Sequence, residues 1–132
     1  AVGMDEGLLV PVVHGAEKLG LVDLMLRLKD ITERAVGKKL TPADQEGSTF
    51  TISNLGMYGV ESFTSIINQP NSAILSIAGT KEMPVVRNGE VVIRPIMKMS
   101  LTSDHRVING LAAAKFMQEL KATLESPLPL LV

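Results

Sequence analysis

Asn88-Gly89 stands between two β-rich runs, Met83-Pro-Val-Val86 and Glu90-Val-Val-Ile93, and this arrangement obliges the chain to reverse as a two-residue hairpin. Both central positions of such a turn need positive φ, which Asn and Gly adopt at the lowest cost, and the turn's twist matches that of the flanking strands. A hairpin needs a sheet around it. Ser72-Ala-Ile-Leu-Ser-Ile-Ala78 reads as a buried strand. From Ile96 onward, alternation sends Met97, Met99, Leu101, Ser103 and His105 to one face and Lys98, Ser100, Thr102 and Asp104 to the other. Upstream, Thr49-Phe-Thr-Ile-Ser53 also has a period of two, with Phe50 and Ile52 opposite Thr49, Thr51 and Ser53. Ser53 therefore ends a row of hydroxyls. Gly7-Leu-Leu-Val-Pro-Val-Val13 reads as a further strand.

Two helices are expected beside these strands. Leu21, Leu24, Met25, Leu28, Ile31 and Ala35 recur at helical spacing, with Asp23/Arg27 and Asp30/Arg34 as i,i+4 pairs on the polar side, and the pattern ends near Gly37. Asn109 can cap a second helix whose stripe is Ala113, Phe116, Met117, Leu120 and Leu124, stopped by Pro127. Between them, Thr41-Pro-Ala-Asp44 predicts one helical turn. Asn54-Leu-Gly-Met-Tyr-Gly59 and Asn68-Gln-Pro-Asn71 read as turns. The apolar tail Pro127-Leu-Pro-Leu-Leu-Val132 reads two ways, as a surface for a partner or as a segment folded back on its own core.

Composition narrows the function classes. The 132 residues are 45% hydrophobic, enough for the core of one domain. Thirteen basic against fourteen acidic residues, with no basic run longer than Lys38-Lys39, leave no electrostatic footprint for nucleic acid or an anionic membrane. The absence of cysteine removes disulfides, thiolate metal sites and a cysteine nucleophile together, and fits a reducing compartment. With His14 and His105 the only histidines, a histidine-rich zinc site is excluded, and no metal is expected. No apolar run reaches the length of a membrane span and no signal sequence opens the chain, so it reads as soluble and intracellular.

Chemistry, on this reading, centres on His105. A lone histidine closing an apolar row is ordinarily a core residue bonded to backbone. Here it lies at a strand end, flanked by Asp104 and Arg106, with Asn109 four positions on and Ser53 closing a hydroxyl row on another strand. An imidazole with the ordinary pKa of about 6.5 is largely neutral at pH 7 and can take a proton from a thiol or hydroxyl.

Three segments carry a family resemblance: Thr49-Phe-Thr-Ile-Ser-Asn-Leu-Gly-Met-Tyr-Gly59; Ile66-Ile-Asn-Gln-Pro70 followed by Ala73-Ile-Leu75; and Asp104-His-Arg-Val-Ile-Asn-Gly110. Together with Gly7-Leu-Leu-Val-Pro-Val12 and the Pro127 tail they resemble, over essentially the whole chain, the catalytic domain of the 2-oxo acid dehydrogenase acyltransferases, the E2 components of those complexes. The resemblance implies an α/β (α+β) fold like that of chloramphenicol acetyltransferase, a mixed sheet flanked by helices. It also implies homotrimers that build a 24-mer or 60-mer core, with a histidine of one subunit meeting a serine of its neighbour. By motif position these are His105 and Ser53, with Asn109 as a third site residue. The family reaction passes an acyl group between the dihydrolipoamide thiol and coenzyme A. His105 would be the general base and Ser53 the oxyanion donor.

Many members of the family carry aspartate where this chain has Asn109, so that residue either orients the imidazole through its amide, caps the last helix, or does both. Residues 1–132 are expected to be the C-terminal portion of the catalytic domain, its N-terminal part missing, without the lipoyl and peripheral-subunit-binding domains through which E1 and E3 dock. Two functions follow: transfer of an acyl group, with acetyl suggested by Asn54–Gly59, or a structural core module that assembles without full catalytic competence. The expected setting is bacterial cytoplasm or mitochondrial matrix.

Overall fold

Asn88 and Gly89 have φ of 53° and 83°, and the hairpin forms where this turn requires it, pairing Arg87 with Glu90. The computed structural model describes residues 1–4 and 7–131, among which the chain divides into two compact units, Phe50–Asp104 and Ala1–Thr49 with His105–Val132.

The first of these units is a three-stranded mixed sheet. Strands β3 (Thr51–Asn54), β4 (Ala73–Arg87) and β5 (Glu90–Ser103) lie in that order, β3 parallel to β4 and β4 antiparallel to β5. The buried core sits at the start of β4, where Ala73, Ile74, Leu75, Ser76 and Ala78 are all buried. These residues have a strand on each side, and their near-continuous apolar run is what a strand covered on both faces demands. Beyond them β4 and β5 run on as a longer arm than the sequence implied. Near its turn, Val86, Val91 and Ile93 are exposed. Between Ile77 and Thr80 the register shifts: Ile77 pairs with Met99 and Thr80 with Met97, so β4 carries one extra residue there.

Two sequence expectations need correction. β5 ends at Ser103, not at His105, because β4 starts at Ala73 and leaves no strand residue to pair beyond Ser103. The predicted strand 7–13 is shorter too. Only Gly7–Leu9 (β2) is a strand, paired antiparallel with Val2–Met4 (β1), and the backbone of residues 10–13 leaves the ladder where β1 runs out.

The second unit carries the helices α1 (Leu21–Val36) and α2 (Gly110–Glu125). Only part of the predicted α1 stripe reaches a core: Ile31 and Ala35 are buried, whereas Leu21, Met25 and Leu28 stay exposed. α2 ends at Glu125, just before Pro127, and has no fully buried residue. The tail forms a 3-10 turn over Leu128–Leu131, and Leu128 and Leu130 are exposed rather than folded into a core. Val132 lies outside the described residues. A mixed sheet, two helices and short 3-10 turns make this an α+β fold.

Candidate active site

Ser53 is the third residue of β3 and half-buried. Its Cα partner on β4 is Ser76, and Ser76 is in turn paired with Ser100 of β5. Directly paired residues share a face, so three serines cross the sheet in one row. The middle one, Ser76, is 1% exposed, and its Oγ lies 2.7 Å from that of Ser65. In the next row Thr51 pairs with Ile74 and Ile74 with Thr102. Thr51 is buried, and its Oγ1 accepts a bond of 2.6 Å from Nδ2 of Asn71. The opposite face carries Ile52, Leu75 and Leu101. The predicted alternation on β3 is therefore observed, and it is the hydroxyl face that is buried: Ile52 is 51% exposed and Thr51 only 3%. Polar partners make this possible, since a buried hydroxyl that is bonded avoids most of the desolvation penalty.

The backbone after Ser53 is tied back to β4. Leu55 N donates to the Ile77 carbonyl at 3.0 Å, Asn54 Oδ1 accepts from Gly56 N at 2.8 Å, and Gly79 N donates to the Val60 carbonyl at 2.8 Å. A Cβ on Gly79 would meet the carbonyl oxygens of Gly56 and Val60 at 3.2 and 3.3 Å, so glycine lets the loop lie this close to the bulge without those carbonyls giving way by a few tenths of an ångström. Met57 and Tyr58 at the loop tip are exposed. Glu61 follows, its Oε1 2.7 Å from Nζ of Lys98 and its Oε2 3.6 Å from that of Lys81. These two lysines, Lys98 foremost, hold the Glu61 carboxyl below the usual range.

His105 opens the turn after β5 and is exposed. The residue before it is anchored, with Asp104 N donating to the Ser72 carbonyl at 2.8 Å. Asn109, four positions on, caps α2: its Oδ1 accepts from Ala112 N at 2.9 Å. Of its two proposed roles, capping is thus observed. His105 and Asn109 share one unit and a single turn, whereas Ser53 belongs to the other unit.

A separate cleft of about 310 Å³ lies in the helical unit, lined by residues that include Val12, His14, Arg27, Ile31, Arg34 and Asp44. None of the three predicted site residues lines it. Sequence reasoning paired Arg34 only with Asp30, yet its stronger partner is Asp44, bound through Nη1 at 2.6 Å and Nη2 at 3.0 Å. Asp30 holds Nε at 3.0 Å. Asp44 also accepts from the N and Oγ1 of Thr41, and Arg34 together with Thr41 keeps its carboxyl well below the ordinary range. The signal lay in Thr41-Pro-Ala-Asp44, a capping pattern whose acid sits three residues after the cap. On the cleft wall, Nε2 of His14 donates to the Ala43 carbonyl at 3.0 Å. Among the described residues no cluster of three or more metal-binding side chains occurs, and no helix is long and apolar enough to cross a membrane.

The family model for the 2-oxoacid dehydrogenases acyltransferase (catalytic domain) matches residues 1–132. The chain belongs to this acyltransferase family. The dihydrolipoyllysine-residue succinyltransferase component of the 2-oxoglutarate dehydrogenase complex of Rickettsia bellii is 43% identical to it over 132 residues, all of this chain and 33% of its own length. A crystal structure of Azotobacter vinelandii dihydrolipoamide acetyltransferase (E2p) superposes with a TM-score of 0.93 at 37% identity, covering 99% of this chain and 54% of its own. It comes from a crystallographic and enzymatic investigation of the role of one serine, one histidine and one asparagine in that enzyme's catalytic mechanism. The histidine there follows the serine by 52 positions, and the asparagine follows the histidine by four. The cubic core of the pyruvate dehydrogenase multienzyme complex matches with a TM-score of 0.91 at 38% identity, over 97% of this chain and 53% of its own. This acyltransferase chain spans about a third of the length of the curated relatives it matches.

Proposed function

We propose that this chain is the C-terminal portion of the catalytic domain of a dihydrolipoamide acyltransferase, moving an acyl group between the thiols of dihydrolipoamide and coenzyme A. One observation carries the reading. Ser53, His105 and Asn109 are spaced by 52 and four positions, the same intervals as the serine, histidine and asparagine studied for their catalytic role in the Azotobacter vinelandii acetyltransferase.

The chemistry follows from the side chains. A thiol with a pKa of about 8.5, taking cysteine as the model, holds little thiolate at pH 7. His105, exposed in its turn, takes the proton of the coenzyme A thiol as the sulfur attacks the thioester carbonyl of acyl-lipoamide. Negative charge gathers on the carbonyl oxygen, where the Ser53 hydroxyl donates a hydrogen bond that strengthens as the charge develops. The tetrahedral adduct collapses, the C–S bond to lipoamide breaks, and the proton on His105 passes to the departing sulfur. No acyl-enzyme forms, which suits a chain without cysteine. Asn109 keeps its oxygen in the helix cap and offers its NH2 to steady the turn that bears His105.

Acetyl is the acyl group we favour, from the likeness of Asn54–Gly59 to acetyl-transferring members; identity alone does not choose, since the succinyltransferase of Rickettsia bellii stands at 43%. A homotrimer that builds a 24-mer or 60-mer core goes with this reading, supported by the likeness to a cubic core, as does a site that Ser53 and His105 share between neighbouring copies. E1 and E3 would dock through domains outside residues 1–132, and the compartment would be bacterial cytoplasm or mitochondrial matrix. The rival, a core module without catalysis, is favoured by the chain's covering only 54% of the Azotobacter vinelandii chain. Transfer from acetyl and succinyl coenzyme A to dihydrolipoamide separates the two. We expect His105→Ala to lower the rate by about 10²–10⁴-fold and Ser53→Ala by about 10²–10³-fold. Full activity in His105→Ala defeats the mechanism; no transfer by the unaltered protein leaves the structural reading.

A further inference from the structure

β3 is a four-residue edge strand, so its backbone ladder to β4 gives only modest resistance to sliding along the strand axis. A buried side-chain bond supplements that ladder. Asn71, 6% exposed, lies just before β4 and donates from Nδ2 to Thr51 Oγ1 at 2.6 Å. Thr51 is two residues before Ser53 and on the same face, about 7 Å along the strand. The neighbouring Ser72 carbonyl receives Asp104 N at 2.8 Å, on the other side of the central strand, at the residue that leads into His105. Asn71 itself is held from behind, its N donating to the Asn68 carbonyl at 3.0 Å, so the two anchors project from a closed turn.

We propose that Asn71 is a positioning residue for acyl transfer, setting the height of Ser53 through its bond to Thr51 at the point where the adjacent Ser72 carbonyl anchors the residue before His105. The inference rests on the reading of Ser53 given under Proposed function. A donor to a developing oxyanion must be held to about 0.5 Å, and a misplacement of about 1 Å can cost of the order of 10²-fold. Thr51 and Asn71 touch no reacting atom; they act through where Ser53 stands.

The test uses the natural full-length polypeptide that carries this sequence, with kcat and KM measured for coenzyme A and dihydrolipoamide and folding followed by thermal unfolding. Thr51→Val keeps the shape of the side chain and removes the acceptor; Thr51→Ser keeps the acceptor; Asn71→Leu removes the donor. Thr51→Val and Asn71→Leu are expected to lower kcat about tenfold with KM within about twofold, and Thr51→Ser to restore kcat to within about twofold of the parent. Combined with Ser53→Ala, Thr51→Val should cost under about twofold more, because the group it positions is gone. The proposal is overturned if Thr51→Val keeps the parental kcat, whatever its melting temperature, or if its tenfold loss persists undiminished beside Ser53→Ala. Ser53→Ala with unchanged kcat gives a different pattern: it removes the role of Ser53, and this inference falls with it.

Discussion

The unit spanning Phe50–Asp104 and the helical unit hold their site residues by different physics. In the first, Ser53 stands in a ladder whose centre is the buried start of β4, and backbone bonds run to it from both neighbouring strands. In the second, helices with few buried side chains are tied by polar contacts: Arg34 to Asp44 and Asp30, and Asn109 to the first turn of α2. The contrast teaches that pairing to a buried strand, supplemented by the Asn71–Thr51 bond, sets the position of the serine, whereas a helix cap by Asn109 shapes the turn that carries the histidine. The two should respond to different insults.

The largest effect should come from the sheet. Leu75→Ala empties a site that is 5% exposed on the central strand, and a loss of about 2–5 kcal/mol in unfolding free energy is expected by denaturant titration. A loss under about 0.5 kcal/mol would mean that β4 is not the keystone of its unit. Next, Asn109→Ala should cost about 1 kcal/mol by removing the acceptor for Ala112 N, while Asn109→Asp keeps an acceptor there and should be close to neutral. If both variants slow acyl transfer equally, the amide NH2 contributes beyond the cap.

The smallest effect is expected from Asp44. Its folded pKa is depressed, so the stability it confers is fully present above the unfolded value of about 3.9 and is lost as pH falls below it. Asp44→Asn should lower stability modestly at pH 7, where the contribution is fully present but salt screens a partly solvated ion pair, and should flatten acid unfolding below about pH 4. Unaltered acid sensitivity in that variant would shift the polar tie to another carboxylate.

Local rules made much of this fold legible. Asn88-Gly89 demanded the hairpin, Asn109 before an apolar stripe marked the start of α2, and Thr41-Pro-Ala-Asp44 forecast its helical turn. What the residues hid was tertiary. Alternation carried His105 onto β5, yet a strand continues only while its neighbour does, and β4 has nothing to offer past Ala73. Alternation separated the two faces of β3 without saying which would be buried, and the structure buries Thr51, bonded to Asn71 20 residues away, while Ile52 stays exposed. The spacing of Ser53, His105 and Asn109 was legible only through motifs, because residues 52 positions apart share no local periodicity.

The extra residue in β4 between Ile77 and Thr80 works like a missed stitch. Below it, even-numbered side chains share the serine face; above it, Thr80 pairs with Met97 and even numbers cross to the other side. β4 is thus two short strands of opposite parity spliced end to end. Removing Gly79 would not merely shorten the arm. It would take out the extra residue and leave β4 alternating without a break against β5, so the arm would lose the local bend and added twist that the bulge gives it while its faces stayed as they are.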